Sequence, residues 1–188
     1  QNPLGLCLGS VMRVLLLCGY RNEPGQALGM ANSQGLSLLD QRIEALLEMG
    51  FEVTTVLAGL QADEQLRYSR SIPKTELVFD THGENATLAT NLVAGVKSLN
   101  GRGAFVLPVE IPLAPTDVWR RMMEESRRLG LSDAAVIQTV DDEGAPCHFG
   151  FPLYLTAKGV QRLAHLQNFS SLLDSRLNYH YILATHQE

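Results

Sequence analysis

The chain has 188 residues, 45% of them hydrophobic and 19% charged, with a net charge of −5. That length is enough for one domain with its own core, and the acidic balance argues against a dedicated nucleic-acid binder, which carries a basic excess. Cys7, Cys18 and Cys147 have no paired spacing and no histidine cluster beside them, so neither a disulfide framework nor a zinc site is expected and a reducing cytoplasm fits.

Residues 4–17 are apolar but interrupted by Ser10 and Arg13. The run is too short for a membrane span and lacks the basic start of a signal peptide. Residues 1–11 read as an N-terminal extension or an added remnant, and 12–188 as a single domain. The stretch 11–18 (VMRVLLLC) predicts a buried strand. A long loop, 19–35, follows with Gly19, Gly25, Gly29, Gly35 and Pro24; loops of this length are often functional. Apolar spacing over 36–49 predicts a helix capped by Ser37 and ended by Gly50. Residues 51–58 predict a strand, 62–70 a helix, 76–79 a short strand, 80–85 a polar loop and 86–99 a helix. Residues 103–107 (GAFVL) predict another buried strand. Pro112 and Pro115 bracket a turn before a helix capped by Thr116 and running to about residue 129. A strand over 133–140, a turn over 144–150, a strand over 151–155 and a helix over 158–166 complete the order, with further helical turns expected in the tail.

Alternating strands and helices imply a three-layer α/β/α domain with a Rossmann-like, mostly parallel sheet. Ligands of such sheets bind at the carboxyl ends of the strands, which singles out loop 19–35 and the segment 108–113. Strand, glycine-rich loop and helix in succession suit phosphate binding. The glycine spacing, however, is neither G-x-G-x-x-G nor a Walker A loop. Arg21 is the sole cation between Gly19 and Gly35, and Glu23 opposes it. By itself the loop fits a flexible connection as well as an anion site. Glu110 is the lone acid of FVLPVEIPL. A carboxylate just past a buried strand can hold Mg²⁺ together with substrate phosphates, or simply accept backbone N–H groups of its own loop. Asp80, Asp117, Asp141 and Asp142 are second carboxylates by type. The arginines at 120, 121, 127 and 128 are interleaved with Glu124 and Glu125, the pattern of a solvated helix face. His82, His148, His165, His180 and His186 lack metal-ligand spacing and read as solvated.

Several segments, in order, are similar to motifs of the MobA-like nucleotidyltransferases (molybdopterin-guanine dinucleotide biosynthesis protein A-like NTP transferases). Leu17-Cys-Gly-Tyr20 stands where that family has L-A-G-G, and Gly35-Leu-Ser-Leu-Leu39 where a glycine-led stretch opens the first helix. Thr90-Asn-Leu-Val-Ala-Gly95 resembles S-S-L-R-A-G. Leu107-Pro-Val-Glu-Ile-Pro-Leu113 resembles P-G-D-M-P-L, and Gly150-Phe-Pro-Leu-Tyr-Leu155 resembles G-H-P-V-L-F. The set spans about residues 12–166.

The resemblance implies a nucleotide-diphospho-sugar transferase type of fold. It also implies transfer of a nucleotidyl group from an NTP (GTP or CTP) to a small phosphorylated cofactor or sugar, with Mg²⁺ and release of pyrophosphate. It assigns Glu110 as the catalytic, metal-binding residue. Cys18, Gly19, Tyr20, Arg21 and Gly29 become the nucleotide loop, with Arg21 on phosphate and Thr90 or Asn91 on base or ribose. No nucleic acid or membrane partner is implied; a protein partner stays open. The chain departs from the family where phosphate chemistry is concentrated. Tyr20 replaces the second glycine, residues 21–34 contain no lysine, Glu110 replaces the aspartate and Val109 the glycine before it, and no D-x-D-T-P-E-D segment occurs in 179–188. These losses support an alternative: a catalytically eroded member that binds a ligand or a protein.

Overall fold

The computed structural model describes residues 11–20, 32–33, 36–128, 133–140, 146–164 and 179–185. The strands are β1 (Arg13–Leu17), β2 (Asn32–Ser33), β3 (Leu36–Ser37), β4 (Glu52–Ala58), β5 (Glu76–Asp80), β6 (Ala104–Pro108), β7 (Ala134–Val140), β8 (Pro146–Leu155) and β9 (Tyr179–Thr185). The helices are α1 (Leu38–Glu48), α2 (Gly59–Tyr68), α3 (Leu88–Ser98), α4 (Thr116–Arg128) and α5 (Ala157–Ala164). Seven strands form one sheet in the order β5-β4-β1-β6-β8-β7-β9, while β2 and β3 make a separate two-stranded ladder. Within the large sheet only β8 is reversed; it pairs antiparallel with both β6 and β7.

Alternation along the strands explains the two-faced core. Val14 and Leu16 of β1, Val53 and Leu57 of β4, and Phe105 and Leu107 of β6 face α1 and α4, meeting Leu39, Ile43, Leu46, Trp119 and Met122. Leu15, Leu17, Val56, Ala104 and Val106 face the other way, onto Leu92 and Val96 of α3 and Val160 and Leu163 of α5. Phe105 anchors the first face, with its ring centroid 4.9 Å from Trp119 and 5.6 Å from Phe51. At the amino ends of the strands the buried guanidinium of Arg13 donates to Thr54 Oγ1 at 2.7 Å and Glu52 Oε2 at 2.6 Å, and pairs with Glu76 at 3.0 Å. It ties β1, β4 and β5 together at the end opposite their carboxyl edge.

Helix signals in the sequence act as expected at α1: the Asp40 N–H donates to Ser37 Oγ at 3.1 Å, and Gly50 leaves the helix at φ +91. Four expectations are corrected. Thr116 does not cap α4 but is its first residue, and the Pro115 carbonyl accepts from the Val118 and Trp119 N–H groups. The helix expected over 62–70 begins earlier, at Gly59. β8 begins at Pro146, inside the expected turn 144–150, because irregularities in its register with β7 let the strand continue. The described part of the tail, Tyr179–Thr185, is a strand parallel to β7 rather than helical turns; its aromatic and β-branched content suits a pleated surface. Among the described residues no helix is long and apolar enough to cross a membrane.

Candidate functional site

β1, β4, β5 and β6 are parallel, so Cys18, Ala58, Asp80 and Pro108 come to the same edge of the sheet. Four of the residues singled out in the sequence, Gly19, Tyr20, Asn91 and Glu110, meet there. Gly19 sits against β4: a Cβ in its place would lie 2.6 Å from Ala58 N and Leu57 C, so no side chain fits without moving backbone. Its peptide groups are held by Asn91 of α3. Asn91 Oδ1 accepts from the Gly19 N–H at 2.8 Å, and Nδ2 donates to the Gly19 carbonyl at 3.2 Å and to Asp80 Oδ2 at 2.8 Å. Asn91 is fully buried and both its amide protons are engaged. It therefore braces the entry to the loop.

Asp80, at the end of β5, is the hub behind that clamp. Besides Asn91 it accepts from Thr90 Oγ1 at 2.5 Å and the His82 N–H at 3.0 Å, and its Oδ1 lies 2.7 Å from His82 Nδ1. Burial by itself would raise this carboxyl, but the bonds from Thr90, His82 and Asn91 outweigh it and hold the pKa below the ordinary aspartate value. Thr90 also closes a reciprocal capping box with Thr87 at the start of α3. So Thr90 and Asn91 share one carboxylate, and Asp80 is spent on structure rather than offered to a metal.

The neighbours of Gly19 are fastened too. The Cys18 N–H donates to the Val56 carbonyl at 3.0 Å, and its carbonyl accepts from Gln65 Nε2 of α2 at 3.4 Å. The Cys18 thiol is fully buried in the core, and burial pushes it up, so it stays protonated. Cys18 thus contributes backbone to the site. The Tyr20 ring is buried and its hydroxyl donates to Glu110 Oε1 at 3.1 Å. Burial first, and then the Glu110 charge and hydrogen bond, push the phenol up, so Tyr20 remains a donor. Glu110 lies in the turn that leaves β6, where the Val109 N–H donates to the Leu17 carbonyl at 3.0 Å and the Ile111 N–H to Pro108 at 3.1 Å. Arg21 and Gly29 lie outside the described residues, as do Asp141, Asp142, His165 and His186.

Arg42 and Gln65 were not singled out in the sequence. Arg42 Nε donates to the Val109 carbonyl at 3.2 Å, bringing a guanidinium beside the Glu110 turn. The signal was available: Arg42 lies three residues after Leu39 and four before Leu46, on the buried stripe of α1. Gln65 is fully buried at the matching place on α2, three residues after buried Ala62.

As a cation site, this arrangement offers Glu110 as a half-buried carboxylate at the end of the central strand. Among the described residues no group of three His, Cys, Asp or Glu could hold a metal. Such a donor set fits Mg²⁺ shared with substrate phosphates, which needs only one or two protein carboxylates, and not a cage made by protein alone.

The family model for the MobA-like NTP transferase domain matches residues 25–179. The chain belongs to this family. Among solved structures it is similar to Rv0371c from Mycobacterium tuberculosis, at TM-score 0.72 and 15% identity over 94% of this chain and 90% of that one. It is also similar to molybdopterin-guanine dinucleotide biosynthesis protein A from Archaeoglobus fulgidus (TM-score 0.66, 20% identity, 92% and 83% covered). A third neighbour is CMP:2-keto-3-deoxy-manno-octonic acid synthetase complexed with CTP (TM-score 0.67, 10% identity, 94% and 90% covered). At these identities the likeness is one of fold, of the nucleotide-diphospho-sugar transferase type. A further structure of Rv0371c is a complex with manganese. No curated protein matches the chain by sequence. Membership of the MobA-like family connects the chain with nucleotidyl transfer in general.

Proposed function

We propose that the chain transfers a nucleotidyl group from an NTP, GTP or CTP, to a small phosphorylated acceptor at the carboxyl edge of β1 and β6. The observation that carries this reading is the bracing of Gly19. Asn91 holds both its N–H and its carbonyl, so the entry to the glycine loop is fixed before any ligand arrives. Preorganised backbone is what an anion-binding loop requires, because dipoles that need not reorganise stabilise developing charge most effectively. Glu110 would hold Mg²⁺ or Mn²⁺ together with the triphosphate; when bound, the cation supplies charge neutralisation on phosphate oxygens. Manganese in one Rv0371c structure and CTP in the synthetase support these choices of ligand. Arg42, beside the Glu110 turn, adds positive charge near a loop otherwise poor in it.

A second reading, a ligand-binding or protein-interaction module with eroded catalysis, is favoured by one observation: Asp80, a second carboxylate at this edge, is consumed by Thr90, Asn91 and His82. Thermal-shift titration with GTP, CTP and ATP, with and without Mg²⁺, tests binding. Pyrophosphate release in the presence of phosphorylated acceptors then separates the two readings. Metal-dependent stabilisation by one nucleotide, followed by pyrophosphate release, is expected for the transferase. Stabilisation without release would establish the module, and no shift with any nucleotide would refute the nucleotide site.

A further inference from the structure

Two departures from the family pattern touch each other. By the resemblance of the sequence motifs, Tyr20 stands at the family's second glycine and Glu110 at its aspartate; they are 90 residues apart in the chain, yet the phenol donates to Glu110 Oε1 at 3.1 Å. Glutamate has one more rotatable bond than aspartate, so an untethered Glu110 would spread its charge over more positions, and fixing it costs entropy at the moment a ligand binds. The bond from Tyr20 restricts that freedom beforehand. Tyr20 is 3% exposed and packs in the core with Leu17 and Val56, so the packing of its ring holds the hydroxyl in place.

We propose that Tyr20 and Glu110 form one positioning device, in which the phenol fixes the glutamate carboxylate toward a divalent cation shared with the substrate's phosphates. Tyr20 is then a positioning residue acting through Glu110, and the pair compensates for a carboxylate arm one methylene longer than the family's. This inference rests on the nucleotidyl-transfer reading for the role of the cation, but its test reads bound cation rather than turnover.

The experiment titrates Mn²⁺ with inorganic triphosphate, and no nucleoside, into the full chain and follows the protein-bound ion by electron paramagnetic resonance. Wild type is expected to bind saturably. Glu110→Gln should lose that binding, although its amide oxygen can still accept from Tyr20. Tyr20→Phe should weaken binding about tenfold, the lower end of the effect seen when a hydrogen-bond partner of a metal ligand is removed. In a Glu110→Asp background the shorter arm no longer reaches the phenol, so Tyr20→Phe should change nothing further. Equal or tighter Mn²⁺ binding by Tyr20→Phe, an equal effect in both backgrounds, or no saturable binding by wild type would overturn the proposal. Should Tyr20→Phe not fold, Glu110→Asp decides alone: an affinity about tenfold below wild type supports the device, and one equal or higher overturns it. Nucleotide binding measured in EDTA keeps the two claims apart. Nucleotide bound but no coupling between Tyr20 and Glu110 refutes the device only, whereas coupling without any nucleotide binding refutes the transferase reading.

Discussion

Replacing Asn91 with alanine removes three hydrogen bonds at a fully buried position, those with the Gly19 N–H (2.8 Å), the Gly19 carbonyl (3.2 Å) and Asp80 (2.8 Å). Alanine leaves the Gly19 N–H and carbonyl without these partners and takes one of several bonds from Asp80, which keeps those from Thr90 and His82. An unsatisfied buried polar group costs about 1–3 kcal/mol, and the three losses share one cavity and do not add fully, so a destabilisation of about 3–5 kcal/mol is expected. For a chain of this size that corresponds to a fall in Tm of roughly 10 °C. Urea unfolding followed by circular dichroism measures the first figure and calorimetry the second. Hydrogen exchange supplies the local readout: the Gly19 amide should exchange much faster in Asn91→Ala even under conditions where β1 stays protected. A loss below about 1 kcal/mol, or an unchanged Gly19 exchange rate, would refute the argument that Asn91 braces this loop.

Other consequences follow from the same edge and from its opposite. Gly19→Ala places a Cβ 2.6 Å from the β4 backbone and should cost about 2–3 kcal/mol through overpacking, with loss of nucleotide-induced thermal shift; a stable variant with normal binding would contradict the close packing. Gln65 Oε1 is buried with no hydrogen-bond partner and its Nε2 bond is long, so Gln65→Leu should lie within about 1 kcal/mol of wild type in urea unfolding, and a loss several times larger would show that the amide is better satisfied than this. Arg13→Met should cost about 1 kcal/mol, because Glu52 and Glu76 are half or more exposed and stay hydrated, and it should leave nucleotide affinity unchanged because Arg13 lies at the far end of the sheet. Asp40 and Asp80 both have pKa values held below the ordinary aspartate value of 3.8 despite burial, Asp40 by Ser69, Ser71 and Ser37 and Asp80 by Thr90, His82 and Asn91. Groups of this sign give stability that is full above the unfolded-state pKa and is lost as pH falls through the folded one. Unfolding free energy should therefore hold steady down to about pH 5 and drop below about pH 4, and Asp40→Asn should flatten the drop; an unchanged slope would contradict the part assigned to Asp40.

The layers of the fold were legible because buried parallel strands announce themselves as apolar runs, as in RVLLL and AFVLP, and because α1 carries its cap and its glycine terminator in plain view. The reversed β8 was less so, since its first half contains glycine and proline and reads as a turn until the ladder with β7 is seen. In the site, sequence order located Gly19, Tyr20, Asn91 and Glu110 but gave them separate roles. Their contacts arise between residues about 70–90 positions apart, through the parallel register of β1 with β4 and β6 and the packing of α3, which no local pattern encodes. Asp80 shows the limit most clearly: by residue type it reads as a metal ligand, and by its surroundings it is a saturated structural acceptor.

Hydrogen exchange of the wild-type chain with and without saturating GTP or CTP and Mn²⁺ tests the central claim directly. Nucleotide bound at the carboxyl edge should slow exchange at residues 17–20 and 108–111, with little change around Arg13 at the opposite end. Unaltered exchange at 17–20 in the presence of nucleotide, or protection confined to other parts of the chain, would contradict the placement of the nucleotide site.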